Sequence, residues 1–464
     1  MHHTRIAMAA LALTLAFLPV GAVCSPAAQA TVDDAGNPNV NNSRRLITDE
    51  QGAAAPFQEP AGPLTIEQAV GYALQHNQEL MAAALQIKAG KEAVVQSGKL
   101  PNPELGVEME NFGGRDDRTG VDGAETTVSL NQLIELGGKR QKRQQLAALA
   151  KEETGWQYQQ KWLDLVTATN MAFIEILVSQ QRVEQAREQL SLSEQVLQTV
   201  NARVEAGKVS PIESTKARVA LTNSRIFLEK SERELAVNRR NLSSLWGNDA
   251  PLFTAAAGAL HDADRALPSL EDLTSRLLTH PDLARLAAQV KQREAALELA
   301  RAGKVPDITV SGGVRNYQET NDHAFVAAIS MPLQIFDRND GNIGEAGHQV
   351  NSARKELAAA RIRMQAQLNQ SYQQLVSAAA EADVLEKEAL PAAKNAFASV
   401  QEGYRQGKFN YLEVLDAQKT LFEVTVSHLD SLRTYQTAFV EVKRLAGLDL
   451  PGEKTDERGI SHEE

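Results

Sequence analysis

Glu413 and Asp416 stand three residues apart, a spacing that puts both carboxylates on one face of a helix. At a helix start such residues suit the dipole and stay solvated. Repeated around an axis, they would form a ring that attracts cations and repels anions. Glu104, Glu108 and Glu110 share one parity, so a strand would carry all three on one side. Gly207-Lys208 and Gly407-Lys408 give a different signal, because glycine suits the left-handed conformation just past a helix end. Pro211 then suits the first turn of the next helix. Covalent chemistry has little support. No nucleophile–base pair or phosphate loop stands out, and no HExxH or comparable metal-ligand spacing occurs. The single cysteine, Cys24, allows neither an intramolecular disulfide nor a thiolate cluster. We expect a protein that is not an enzyme and that uses no cofactor and no resident metal.

The elements that would position these residues are written in the remaining pattern. Of 464 residues, 43% are hydrophobic and 23% charged, as in a folded chain. A net charge of -11 without a Lys/Arg stripe argues against nucleic-acid binding. Met1 to Arg5 is short and basic, Ile6 to Val23 is uncharged and mostly apolar, and Ala28-Gln29-Ala30 offers a cleavage site. Residues 1–30 therefore read as a secretory signal peptide. Cys24 would be the lipidated residue of a lipoprotein only against the grain of Gly21-Ala22-Val23, and an incidental cysteine in a discarded peptide is the favoured reading. No later stretch has the length of apolar sequence that a membrane helix needs. Residues 31–62 read as extended and partly disordered.

From there the sequence contains itself twice. Val204-Glu205-Ala206-Gly207-Lys208 matches Tyr404-Arg405-Gln406-Gly407-Lys408, and Leu245-Trp246-Gly247 matches Leu445-Ala446-Gly447. We expect two structural repeats, 63–247 and 269–447, joined by a link at 248–268 and followed by a tail at 448–464. Each repeat should hold a first helix (about Ile66 to Ser97, and Leu270 to Ala302), a β-hairpin (102–132 and 306–333) and a long helical hairpin. Ile176, Val183, Leu190, Leu197 and Val204 recur every seven residues, which implies helices supercoiled against neighbours or an ordinary bundle core. Between Lys139 and Gly207 there is no proline, so one helix of about 100 Å is expected. In the second repeat Pro391 should introduce a kink.

The hairpin regions alternate apolar and polar residues: Leu105, Val107 and Met109; Thr126, Val128 and Leu130; Ile308, Val310 and Val314; Phe325, Ala327, Ile329 and Met331. Runs of about ten residues can cross a bilayer as tilted strands. Taken singly they fit soluble hairpins equally well. A sheet in lipid must close, and membrane barrels need roughly eight strands or more. One chain offers four, so a membrane barrel would have to be shared by several chains.

Leu64-Thr65-Ile66-Glu67-Gln68-Ala69, Leu100-Pro101-Asn102-Pro103, Leu136-Gly137-Gly138-Lys139-Arg140, Phe336-Asp337-Arg338-Asn339 and Tyr411-Leu412-Glu413-Val414-Leu415-Asp416-Ala417 resemble the TolC family of outer-membrane efflux proteins, and within it the CzcC-like heavy-metal branch. The resemblance covers about Leu64 to Leu450. It implies a mainly α fold with a transmembrane β part: a homotrimer sharing one 12-stranded barrel in outer-membrane lipid above a coiled-coil helical tunnel in the periplasm of a Gram-negative bacterium. It implies a passive export duct, here for heavy-metal cations, fed by a periplasmic adaptor (membrane fusion protein) and an inner-membrane pump of the RND type. The alternatives are a duct for drugs or other small molecules and a structural coiled-coil surface protein.

The resemblance also assigns roles. Glu413 and Asp416 would form the periplasmic gate and its selectivity ring. Tyr404 and Glu213 would help to hold the entrance closed. Phe409 stands where relatives carry the basic partner of that latch, so a different latch is expected. Gly207, Lys208, Gly407 and Lys408 would meet the adaptor, and Glu104, Glu108 and Glu110 would line the barrel lumen.

Overall fold

The structure is a computed structural model that describes residues 59–260, 269–448 and 450. The expected signal peptide with Cys24, residues 31–58, residues 261–268 of the link, and the tail apart from 448 and 450 lie outside the described residues.

Two-residue strands β1 (Pro63–Leu64) and β4 (Ala255–Ala256) pair in parallel. Helices α1 (Ile66–His76) and α2 (Gln78–Ser97) follow β1. Sequence reading expected one helix here, and the structure breaks it at Asn77. Asn77 has extended backbone, its side chain accepts from Leu80 N–H at 2.8 Å and it donates to the Leu245 carbonyl at 2.9 Å. The amide thus starts a new helix and pins it to a distant turn. The second half breaks in the same way. Helix α5 (Leu270–Arg276) and a short 3₁₀ turn end at His280, whose ring accepts from Asp282 N–H, and α6 (Pro281–Ala302) begins. Extended backbone at His280 is what the following Pro281 favours.

Strands β2 (Glu104–Glu110) and β3 (Glu125–Ile134) form one hairpin; β5 (Ile308–Tyr317) and β6 (Asp322–Ser330) form the other. They make one antiparallel sheet of order β2-β3-β5-β6. Ten residue pairs join β3 to β5, from Glu125↔Tyr317 to Ile134↔Ile308. Register puts Leu105, Val107, Val128, Leu130, Val310, Val314, Phe325 and Ile329 on one face and Glu104, Glu108, Glu110, Thr127, Ser129, Ser311 and Arg315 on the other. The apolar face is uncovered: Phe325 is 94% exposed, Ile329 74% and Leu105 72%. A hairpin packed on this chain's own core would bury these side chains, and no described residue covers them. Within the described residues the outer edges of β2 and β6 pair with no other strand.

Helix α3 (Lys139–Glu205) runs unbroken for 67 residues and returns as α4 (Pro211–Ser244). One 18-residue window of α3 is apolar enough to cross a bilayer, but 61% of it is buried inside the protein, so it serves as core. The second hairpin comprises α7 (Asp340–Val384), α8 (Leu390–Gln406) and α9 (Tyr411–Ala446). Between α7 and α8 the chain forms a π-turn, Leu385–Ala389. The expected interruption at Pro391 therefore falls just before the proline, where its missing N–H frees carbonyls to bond one residue further on.

A charged collar joins sheet to helices. Asp307 accepts from Leu136 N–H at 2.9 Å and from Lys139 Nζ at 2.8 Å. Arg143 grips Glu135 through both Nη atoms. Gly137 and Gly138 both have positive φ, and a side chain on Gly137 would meet Val305 at 2.9 Å. Only glycine allows the chain to turn there from β3 into α3.

Candidate functional site

The far ends of the two helical hairpins come together. Both turns are built alike. Gly207 has φ +66 and Gly407 φ +82. Lys208 N–H donates to the Arg203 carbonyl at 2.9 Å, and Lys408 N–H donates to the Gly403 carbonyl at 2.8 Å. Each turn satisfies the last carbonyls of its helix by the same six-residue bond. Ser210 and Asn410 then cap the returning helices, Asn410 in a capping box with Glu413. A cluster of Val196, Val200, Ala217, Phe397, Tyr404, Tyr411 and Val414 locks the two tips together.

Tyr404 is 2% exposed within that cluster. Its hydroxyl donates to Glu213 Oε2 at 2.9 Å, which joins α8 to the start of α4. Burial, then the bond to Glu213, push the phenol well above its ordinary pKa, so it remains a donor at every physiological pH. Two of the residues singled out in the sequence are thus brought into direct contact.

Sequence reading missed the third member. The Arg203 guanidinium carbon lies 4.4 Å from the Tyr404 ring centroid, within cation–π range. Its Nε and Nη1 are buried with no hydrogen-bond partner among the described residues. The signal was present in the repeat: Arg203 aligns with Gly403. Glycine is required at the second position, where a Cβ would lie 2.2 Å from the Phe409 ring. Phe409 therefore occupies the space that would hold a second copy of the arginine. The basic group of this tip comes from the first repeat.

Glu413 and Asp416 lie apart from this trio. Both line a shallow groove of about 330 Å³ between α8 and α9, with Ala393, Ala396, Val400, Phe409, Ala417 and Thr420. Glu413 Oε2 accepts from Asn410 N–H at 2.7 Å, so this carboxylate also starts its helix. Among the described residues no group of three or more His, Cys, Asp or Glu is placed to hold a metal ion.

At the sheet, Glu104 and Glu108 make no ion pair among the described residues, whereas Glu110 lies 3.0 Å from Arg315 Nη2.

The profile described as "Outer membrane efflux protein" matches residues 69–248 and 273–448. The chain belongs to this family. The cobalt-zinc-cadmium resistance protein CzcC of Cupriavidus metallidurans is 36% identical over 391 residues, which cover 84% of this chain and 91% of that protein. The nickel and cobalt resistance protein CnrC of the same organism is 25% identical over 310 residues, 66% and 71% of the two chains. The solved structure of CusC superposes with a TM-score of 0.71 at 18% identity, covering 86% of this chain and 99% of that one. Membership places the protein in the outer membrane of a Gram-negative bacterium as an efflux channel, with the fold of the TolC-like channels. The two matched segments each contain a β-hairpin and a helical hairpin, and the residues of the tip trio, Arg203, Glu213 and Tyr404, fall within them.

Proposed function

We propose that three copies of this chain close into one outer-membrane barrel over a helical tunnel, and that the assembly is a passive duct exporting heavy-metal cations. The observation that carries the reading is the sheet: four antiparallel strands, an uncovered apolar face and two unpaired outer edges. Lipid can cover that face, but backbone groups at an open edge in lipid remain unsatisfied. Pairing β2 of one copy with β6 of the next removes every edge, and three copies of four strands make twelve, within the size range of outer-membrane barrels. The charged face then lines the lumen, with Glu104, Glu108 and Glu110 along it. Residues 63–247 and 269–447 act as two repeats of one unit, and the β1–β4 pair draws the stretch after residue 62 against the link that follows α4.

The duct changes nothing covalently. An inner-membrane pump of the RND type supplies energy, and a periplasmic adaptor meets the hairpin tips, where Gly207-Lys208 and Gly407-Lys408 are exposed. Three copies of Glu413 and Asp416 around the axis form the cation-attracting entrance ring. Tyr404, Glu213 and Arg203 hold the two hairpins of each chain together in the closed entrance. The metal cargo follows from relatives whose names record cobalt, zinc, cadmium and nickel resistance.

The test is the tolerance of a strain lacking this protein. Sensitivity to zinc, cobalt, cadmium or nickel should rise, and be restored by the intact gene. Unchanged tolerance to these and to copper and silver would overturn the metal assignment.

A further inference from the structure

We propose that Arg315 keeps the outer end of the barrel from capturing divalent cations on their way out. The inference rests on the trimeric-barrel reading, in which the charged face of the sheet lines the lumen.

Among the described residues of strands β2, β3, β5 and β6, Arg315 is the sole lysine or arginine. Register puts Glu104, Glu108, Glu110, Glu125 and Asp322 on the same face. The arginine meets two of these five carboxylates. Its Nη1 donates to Glu125 Oε2 at 2.9 Å, its Nη2 lies 3.0 Å from Glu110 Oε2, and its Nε donates to Thr127 Oγ1 at 2.9 Å. Asn111 donates to the other oxygen of Glu125 at 2.8 Å.

Glu110 and Glu125 are direct cross-strand partners in the outermost pair of β2 and β3. Like charges so placed repel, with Cβ atoms about 5 Å apart. Two carboxylates at that separation are also the hard oxygen donors that divalent cations take. Without a counter-charge the pair would relieve its repulsion by holding a metal ion. The guanidinium stands in that ion's place and is fixed to the wall through three strands. Glu104 and Glu108 remain without such a partner, Glu104 roughly 20 Å nearer the helical end at ~3.3 Å per residue. A cation moving outward thus passes the bare Glu104 and Glu108 first and the neutralised Glu110–Glu125 pair last, where Asp322 stands singly two strands away, without a second carboxylate opposite it. Export through a pore needs this order, since cargo must be attracted on entering and weakly held on leaving.

The experiment is ion conduction of the purified channel in planar bilayers under a KCl gradient, with zinc chloride added to either side in turn. The wild type should be cation-selective and keep its current in zinc. Arg315→Gln should shift the reversal potential further toward the cation limit and lose current in zinc. Arg315→Lys should stay close to wild type. Adding Glu110→Gln and Glu125→Gln to Arg315→Gln should abolish the zinc block. Wild-type reversal potential and zinc response in Arg315→Gln would overturn the proposal. Should that variant fail to insert, Glu110→Gln/Glu125→Gln with Arg315 retained must shift the potential toward anions, and no shift overturns the proposal equally. Silence of the inserted wild type and of Tyr404→Phe alike would instead overturn the duct reading itself.

Discussion

At the scale of single residues, the tips of the helical hairpins carry the most specific expectations. Tyr404 has two partners of opposite charge, Glu213 at its hydroxyl and Arg203 over its ring. Tyr404→Phe removes the first and keeps the second; Arg203→Gln does the reverse. Both should loosen the closed entrance, read as raised basal conductance and as uptake of a large antibiotic normally excluded by the outer membrane. The double variant should leak less than the sum of the two, because they share a ring. Arg203→Lys should recover most of the loss, since an ammonium preserves a cation–π contact of about 0.5–2 kcal/mol. Strict additivity, together with no recovery by lysine, would mean that Arg203 acts only as packing. Glu413→Gln with Asp416→Asn should lower the preference for cations over anions without lowering the amount of inserted channel. An unchanged reversal potential in that variant would remove the entrance ring from the account. The acidic pair stood out in the sequence by its three-residue spacing, and Tyr404 and Glu213 through the resemblance to the TolC family. Arg203 was not, because its role depends on a ring 201 residues away (404 minus 203).

At the scale of elements, the alternation of apolar and polar residues specified the strands and their faces, and the seven-residue stripes specified the long helices. Pairing between the two hairpins was invisible, since no local pattern in β3 names β5 as its neighbour. The breaks at Asn77 and His280 were also missed, because the flanking helices continue the same apolar spacing while a single side chain caps the next segment. These features give two tests. Val107→Arg, on the uncovered face, should destabilise the inserted protein by about 2–4 kcal/mol, and Glu108→Gln one residue away should be nearly neutral. Equal effects of the two in denaturant titrations would contradict the facing assigned to β2. His280 is 1% exposed, its Nδ1 accepts from Asp282 N–H and its Nε2 faces the Arg444 carbonyl. Burial holds its pKa below the ordinary value; the Asp282 carboxylate opposes this and the Arg444 charge adds to it. As pH falls, the unfolded chain therefore takes up a proton before the folded one does. The stabilisation is complete above the unfolded pKa of about 6.5 and shrinks as pH drops below it. Thermal midpoints should fall from about pH 7.5 to about pH 5.5, and His280→Asn, which can still accept at the helix start, should flatten that slope. An identical slope in His280→Asn would assign the pH dependence to other groups.

At the scale of the whole molecule, composition and architecture point in different directions until the chain is multiplied. With a net charge of -11, and with the one long apolar helical window among the described residues mostly buried as core, the composition describes a chain whose apolar surface is turned inward. The sheet contradicts that description locally, through an apolar face that nothing in one copy covers. The proposed trimer closure would reconcile the two, since most of the mass would then stand in water and only the strands would meet lipid. The closure has a direct chemical signature. Cysteines placed at exposed positions on the outer edges, Leu105→Cys in β2 and Ile329→Cys in β6, should cross-link between copies in membranes, with trimers as the largest product. Failure of any pair along these edges to cross-link would count against a shared barrel. The central claim is that this assembly is an open-ended duct through the outer membrane, and conductance of the purified protein in planar lipid bilayers tests it most directly. The account predicts discrete, cation-selective current steps that rise when Tyr404→Phe loosens the entrance. Stable insertion of the trimer with no current steps, in the wild type and in Tyr404→Phe alike, would contradict it.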